Sequence, residues 1–136
     1  GSINKFFRFT FSQLKNKVVV LCNLSKCYEG LAQYDDAKSS LMEAEALFES
    51  YEAFYTECDR EKELLEFKQN KRAVSKLKIT MCEFVIDLFV ELCELESAVP
   101  YVERAQAVCT DLYGANHHRT SIMTCKAGNL LKSLGR

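Results

Sequence analysis

Proline is nearly missing from this chain: there is one in 136 residues, beside only five glycines. So few breakers exclude a collagen-like or low-complexity chain, and a composition 48% hydrophobic and 27% charged excludes a disordered one. Long apolar runs are missing too. The longest, Val18 to Cys22, is far short of a bilayer span, and no N-terminal stretch reads as a signal peptide. An excess of either charge is also lacking. Eighteen Lys+Arg face nineteen Asp+Glu, a net charge of -1, so nothing points to nucleic acid or to a membrane surface as a partner. Gly1-Ser2 reads as the remnant of a cleaved tag, and residues 3–136 have the length of a single small domain.

The seven cysteines, at 22, 27, 58, 82, 93, 109 and 125, are odd in number and form no Cys-x-x-Cys pair. A secreted disulfide framework needs an even count, and a zinc site needs closely spaced Cys/His pairs, whereas His117-His118 is the sole histidine cluster. They read as small, soft core residues of a protein in the reducing cytoplasm, with no metal. The chain has no P-loop, dinucleotide fingerprint, nucleophile–base pair or paired-carboxylate site. We therefore expect no cofactor, no catalytic residues and no enzyme.

What the chain does have is a 3.6-residue hydrophobic period almost throughout. Alternation occurs only in Phe7-Arg8-Phe9-Thr10-Phe11, and there Thr10 and Gln13 have capping-box spacing, with Phe9 and Leu14 placed as a hydrophobic staple. A first helix is predicted from about Thr10 to Glu29, ended by Gly30, with Leu14, Val18, Leu21, Leu24 (or Ser25) and Tyr28 on one face. Asp35 should cap a second, whose stripe is Ala37, Leu41, Ala44, Phe48, Tyr51 and Tyr55. Thr56 or Asp59 could cap a third, from about Asp59 to Glu94 and roughly 50 Å long unless Gln69-Asn70-Lys71 breaks it. Ser97 should cap a fourth, with Pro100 in its first turn, a stripe of Val102, Ala105, Val108 (or Cys109) and Leu112, and Gly114 at its end. A fifth runs from about His118 to Leu134 and carries Met123, Ala127, Leu130, Leu131 and Leu134.

Two of these helices echo each other. Tyr34-Asp35-Asp36-Ala37 with Leu41 and Ala44 parallels Leu95-Glu96-Ser97-Ala98 with Val102 and Ala105, and small residues at such positions let helices approach closely. The pattern resembles the tetratricopeptide repeat. Its matching residues are Leu21, Leu24-Ser25, Tyr28, Ala32-Gln33-Tyr34, Ala37, Leu41 and Ala44 in a first copy. In a second they are Cys82, Val85-Ile86, Phe89, Cys93-Glu94-Leu95, Ala98, Val102 and Ala105, with Thr124, Ala127-Gly128, Leu131 and Gly135 in a third, half copy. Leu112 to Thr120 resembles the linker of kinesin-light-chain-type repeats, with His118 where a proline is usual; His117 reads there as a residue that caps or packs on neighbouring helix ends. Ala37 and Ala98 lie 61 residues apart against about 34 in a standard repeat. The resemblance therefore implies an all-α fold, antiparallel helix pairs stacked as a short solenoid, with elongated helices between the two repeats. Repeat one covers about 18–51, a helical insert about 52–78, repeat two about 79–112 and the half repeat about 118–135. The insert's mixed charge reads as a solvated face or as a partner-binding arm.

In such solenoids the first helices of the pairs line a groove. The resemblance implies that Val19, Cys22, Lys26 and Glu29 face it in repeat one. In repeat two these would be Thr80, Glu83, Asp87, Val90 and Glu91, and in the half repeat Ile122, Cys125, Asn129 and Lys132. Relatives that grip a C-terminal carboxylate use a Lys/Asn/Arg set that only Asn129, Lys26 and Lys132 approach, so that function is set aside. Glu83, Asp87 and Glu91 suit a peptide bearing Lys or Arg, or merely keep the groove soluble. The expected function is a scaffold or adaptor that binds a peptide or helix of a partner protein. The alternative is a structural segment of a larger helical-repeat protein that self-associates or packs on neighbouring repeats, because Met123, Leu130 and Leu134 lack a covering helix.

Overall fold

The computed structural model describes residues 9–136; Gly1-Ser2 and the Phe7-Arg8 part of the alternating stretch lie outside them. The described residues form six α-helices and no strand, so the fold is all-α. These are α1 (Phe11–Gly30), α2 (Tyr34–Thr56), α3 (Glu61–Gln69), α4 (Lys71–Glu91), α5 (Leu95–Tyr113) and α6 (His118–Ser133). None is long and apolar enough to cross a membrane. The chain divides into two compact units after Val74, inside α4.

In the first unit Thr10 caps α1 with a complete capping box: its hydroxyl takes the Gln13 N–H at 3.1 Å and Gln13 Oε1 takes the Thr10 N–H at 2.9 Å. The buried face of α1 is Leu14, Val18, Cys22 and Ser25. Ser25, the alternative in the predicted stripe, is therefore the inward residue, and Leu24 is exposed. All six residues of the α2 stripe are buried, from Ala37 to Tyr55. Ala37 and Ala44 present only a methyl there, which lets α1 and α2 pack closely along their length. Asp35 does not cap α2. The helix starts at Tyr34 after Gln33, and Asp35 and Asp36 sit in its first turn, where their charge suits the exposed N–H groups. Beyond this contact an aromatic cluster closes the unit. Phe9 packs on Tyr51 at 5.6 Å and Phe67 of α3 stacks on Tyr55 at 4.7 Å, while the Tyr55 hydroxyl donates to the Phe9 carbonyl at 2.8 Å.

The long third helix is broken where the sequence offered a break. Asn70 separates α3 from α4, its side-chain amide donating to the Glu66 carbonyl at 2.9 Å. Neither Thr56 nor Asp59 caps α3. The cap residue is Arg60, and the Thr56 hydroxyl donates back to Glu52 at 2.8 Å.

In the second unit α5 starts at Leu95, earlier than a Ser97 cap implied, so Pro100 falls in its second turn. Its buried face is Ala98, Val102, Ala105 and Cys109, and Gly114 (φ 89°) ends it. His117 caps α6, its Nδ1 accepting the Arg119 N–H at 3.0 Å, and its ring stacks on Tyr113 at 4.6 Å. Thr120 pins α6 to α5 by donating to the Cys109 carbonyl at 3.2 Å. Met123 and Leu130 are buried, contrary to the expectation that they lack cover, whereas Leu134 is only half-buried.

The turn after α1 and the turn after α4 have the same design. Leu31 donates to Cys27, Ala32 to Glu29 and Gln33 to Tyr28; Leu92 donates to Leu88, Cys93 to Val90 and Glu94 to Phe89. The central residues, Ala32 and Cys93, share φ 58°, a left-handed conformation that costs a side chain about 1–2 kcal/mol. Gly30, expected to end α1, lies within it, and the reversal occurs at Ala32. The end of α6 repeats the scheme at Gly135 (φ 78°), with Gly135 donating to Lys132 and Arg136 to Leu131. Each turn is a Schellman closure that satisfies the last carbonyls of its helix. Ala32 and Cys93 are 61 residues apart, the same offset as Ala37 and Ala98.

Candidate functional site

The seven residues expected to face a partner fall in both units. Lys26 and Glu29 lie in the last turn of α1, where the ammonium and the carboxylate pair at 3.3 Å. Cys22, expected beside them, is buried instead, and burial pushes its thiol up to about 11, which leaves it a poor nucleophile.

The second unit holds the other five. Glu83, Asp87 and Glu91 follow one another at four-residue intervals along α4 and so share a face. Asp87 and Glu91 are exposed and have no ion-pair partner among the described residues. Glu83 differs: it is half-buried and lies 3.9 Å from the Lys126 ammonium of α6. Asn129 and Lys132 are exposed on α6.

Lys126 is not among the groove positions that the repeat resemblance implies, although the 3.6-residue period places it on the face of Ile122. Arg119, Ile122 and Lys126 recur at i, i+3 and i+7 and share one face of α6. With α4 that face encloses an open cleft of about 200 Å³. Ile79, Ile122 and Met123 give it an apolar wall, Cys109 of α5 its floor, and Glu83, Arg119 and Lys126 charges of both signs at the rim. Burial holds the Cys109 thiol above its ordinary pKa; the Glu83 carboxylate adds to the rise and the Arg119 guanidinium opposes it. Arg119 is held at 5.7 Å over the Tyr113 ring.

Chemically this arrangement can hold an apolar group and pair with charge. His118 also lines the cleft, next to the His117 that caps α6, and burial favours the neutral form of the Cys109 thiol. Among the described residues no group of three or more His, Cys, Asp or Glu side chains is placed to hold a metal ion. No protein-family model, curated protein or solved structure matches the chain.

Proposed function

We propose that this chain is a tetratricopeptide-like helical-repeat module, related in style to kinesin-light-chain repeats, that binds a segment of another protein without catalysing a reaction. The single observation that carries the reading is the recurrence of one turn, with the same three hydrogen bonds and the same left-handed central residue, at Ala32, Cys93 and Gly135. The hairpins at Ala32 and Cys93 stand at one register, 61 residues apart, and this supports reading them as copies of one unit, whose stacking would offer an extended binding surface. Buried alanines at the same offset, 37 with 98 and 44 with 105, support it. The seven free thiols fit a reducing, cytoplasmic setting.

The partner segment in this reading carries Lys or Arg for Asp87 and Glu91 and an apolar side chain for the cleft beside Ile122. Lys26 and Glu29 contribute little, because each already neutralises the other. Asn129 and Lys132 border the same helix face and extend the contact. The self-associating alternative loses its first support, since Met123 and Leu130 are covered within the chain.

A fluorescently labelled peptide bearing alternating Lys and Leu residues, titrated into the full chain at low salt, tests this. Asp87→Lys with Glu91→Lys should weaken binding about tenfold or more, as expected for reversal of exposed charges facing a cationic ligand. Glu83→Lys is the poorer probe, because it also sets two cations against each other across the cleft. Unchanged affinity in the double variant would remove the acidic face of α4 from the binding site.

A further inference from the structure

At the shared offset of 61, buried positions of one helix pair coincide with buried positions of the other: Val18 with Ile79, Ser25 with Ile86, Leu41 with Val102, Phe48 with Cys109. The match is incomplete at single positions, Cys22 being buried where Glu83 is half-buried and Leu77 buried where Asn16 is exposed, and along one stripe it fails throughout. In the second unit Met81, Cys82, Val85 and Leu88 are each 1–2% exposed. Their equivalents on α1 are Val20, Leu21, Leu24 and Cys27. Of these Val20 is 62% and Leu24 39% exposed, Cys27 is exposed and Leu21 only half-buried. So α1 has two apolar faces, one against α2 and one bare, and the bare face has the composition of a face that is covered in the second unit.

The bare face is also shaped. Between α1 and α2 lies a crevice of about 440 Å³, bounded by Val20, Leu21 and Leu47 and by Asn16. Lys17 stands on the α1 rim and Glu43 on the α2 rim, and neither has an ion-pair partner among the described residues. An apolar floor of Val20, Leu21 and Leu47, continued along α1 by the exposed Leu24, with a cation on one bank and an anion on the other, is the complement of one amphipathic helix. We infer that the α1/α2 crevice is a docking site for an amphipathic helix of a partner protein, with acidic residues on the flank toward Lys17 and basic residues on the flank toward Glu43. This surface is distinct from the α4/α6 cleft, and the inference rests on the repeat register, not on what that cleft binds.

The probe is a synthetic helical peptide of about five turns, with leucines at i, i+4, i+7 and i+11, glutamates along one flank and lysines along the other. Titrated into the full chain and followed by anisotropy, it should saturate with a Kd in the range of about 1–100 μM. Val20→Asp with Leu24→Asp should weaken it at least tenfold with an unchanged helical circular-dichroism spectrum, since both side chains are exposed. Lys17→Glu should weaken it and a peptide with lysines on that flank should restore it. No saturation by about 1 mM, or equal affinity for the Val20/Leu24 double variant, would overturn the inference. So would sedimentation showing that the free chain is a dimer dispersed by Val20→Asp, for then a second copy fills the crevice. The Asp87/Glu91 variant should bind this peptide as the unaltered chain does, which separates failure here from failure of the cleft.

Discussion

The Ser25 hydroxyl donates to the Ala37 carbonyl at 3.0 Å, buried, across the contact between α1 and α2. The bond fixes the sliding register of the two helices beside the fully buried Ala37. Thr120 does the same between α6 and α5 through the Cys109 carbonyl. Ser25→Ala and Thr120→Val should each destabilise by about 1 kcal/mol, the usual net worth of such a bond. Urea titrations monitored by circular dichroism measure it, and a change below the error of the fit would mean that packing alone sets the register.

Ala37 and Ala98 occupy equivalent, fully buried places. A larger side chain at either must push the helices apart or leave its preferred rotamer. Ala37→Leu and Ala98→Leu should each cost about 1–3 kcal/mol, the range for overpacking a closed core. Ala53, exposed on the same α2 helix, should accept leucine with a change below about 0.5 kcal/mol. Similar losses at Ala37 and Ala53 would show that the measured effect is not one of close approach.

Much of this was legible in the residues. The stripe from Ala37 to Tyr55 recurs at helical spacing with no competing pattern, and every member is buried. The capping box at Thr10 also formed, because both partners lie within one turn. What the sequence left open were choices between neighbours. Ser25 against Leu24 and Cys109 against Val108 turn on where a second helix crosses, which local period does not encode. Asp35 and Ser97 looked like caps by residue type, but the Schellman closure of the preceding helix sets where the next one starts. The same cause hid the left-handed residues: alanine and cysteine give no sequence signal for a positive φ. Of the expected site residues, the α4 acids were legible as a face, whereas the pairing of Glu83 with Lys126 depends on α6 folding beside α4.

Ala32 and Cys93 adopt φ 58°, where a Cβ is unfavourable. Glycine would remove that strain and lose part of the gain to its greater freedom in the unfolded chain. Ala32→Gly and Cys93→Gly should therefore each stabilise by about 0.5–1 kcal/mol, with Ala32→Val destabilising because a branched Cβ tolerates this region least. Gly135→Ala should destabilise by a similar amount if the third turn is the same device. Thermal unfolding of the four variants is the measurement, and opposite signs at Ala32 and Cys93 would refute the equivalence of the two turns.

Tyr51 offers the sharpest dependence on pH. Its ring is fully buried between Phe9, Tyr55 and Phe67, and its hydroxyl has no hydrogen-bond partner among the described residues. Burial first, and then the neighbouring Tyr55, pushes the phenol up from 10.0 to about 12. A raised acid is bound more tightly to its proton in the folded state, so its contribution is fully present below pH 10 and disappears as pH rises toward 12. Cys22, raised from 9.0 to about 11, adds an earlier loss that begins above pH 9. Stability should thus fall from about pH 9 upward, in a window set first by Cys22 and then by Tyr51. Tyr51→Phe removes the unpaired hydroxyl while keeping the ring. It should leave stability at neutral pH unchanged or raise it by about 1–2 kcal/mol. Above pH 10 it should flatten the decline that the unaltered protein shows. Urea midpoints measured from pH 7 to 11 decide the matter. A Tyr51→Phe protein less stable than the parent at pH 7 would mean that the hydroxyl is hydrogen-bonded in solution, and the alkaline argument would then fail with it.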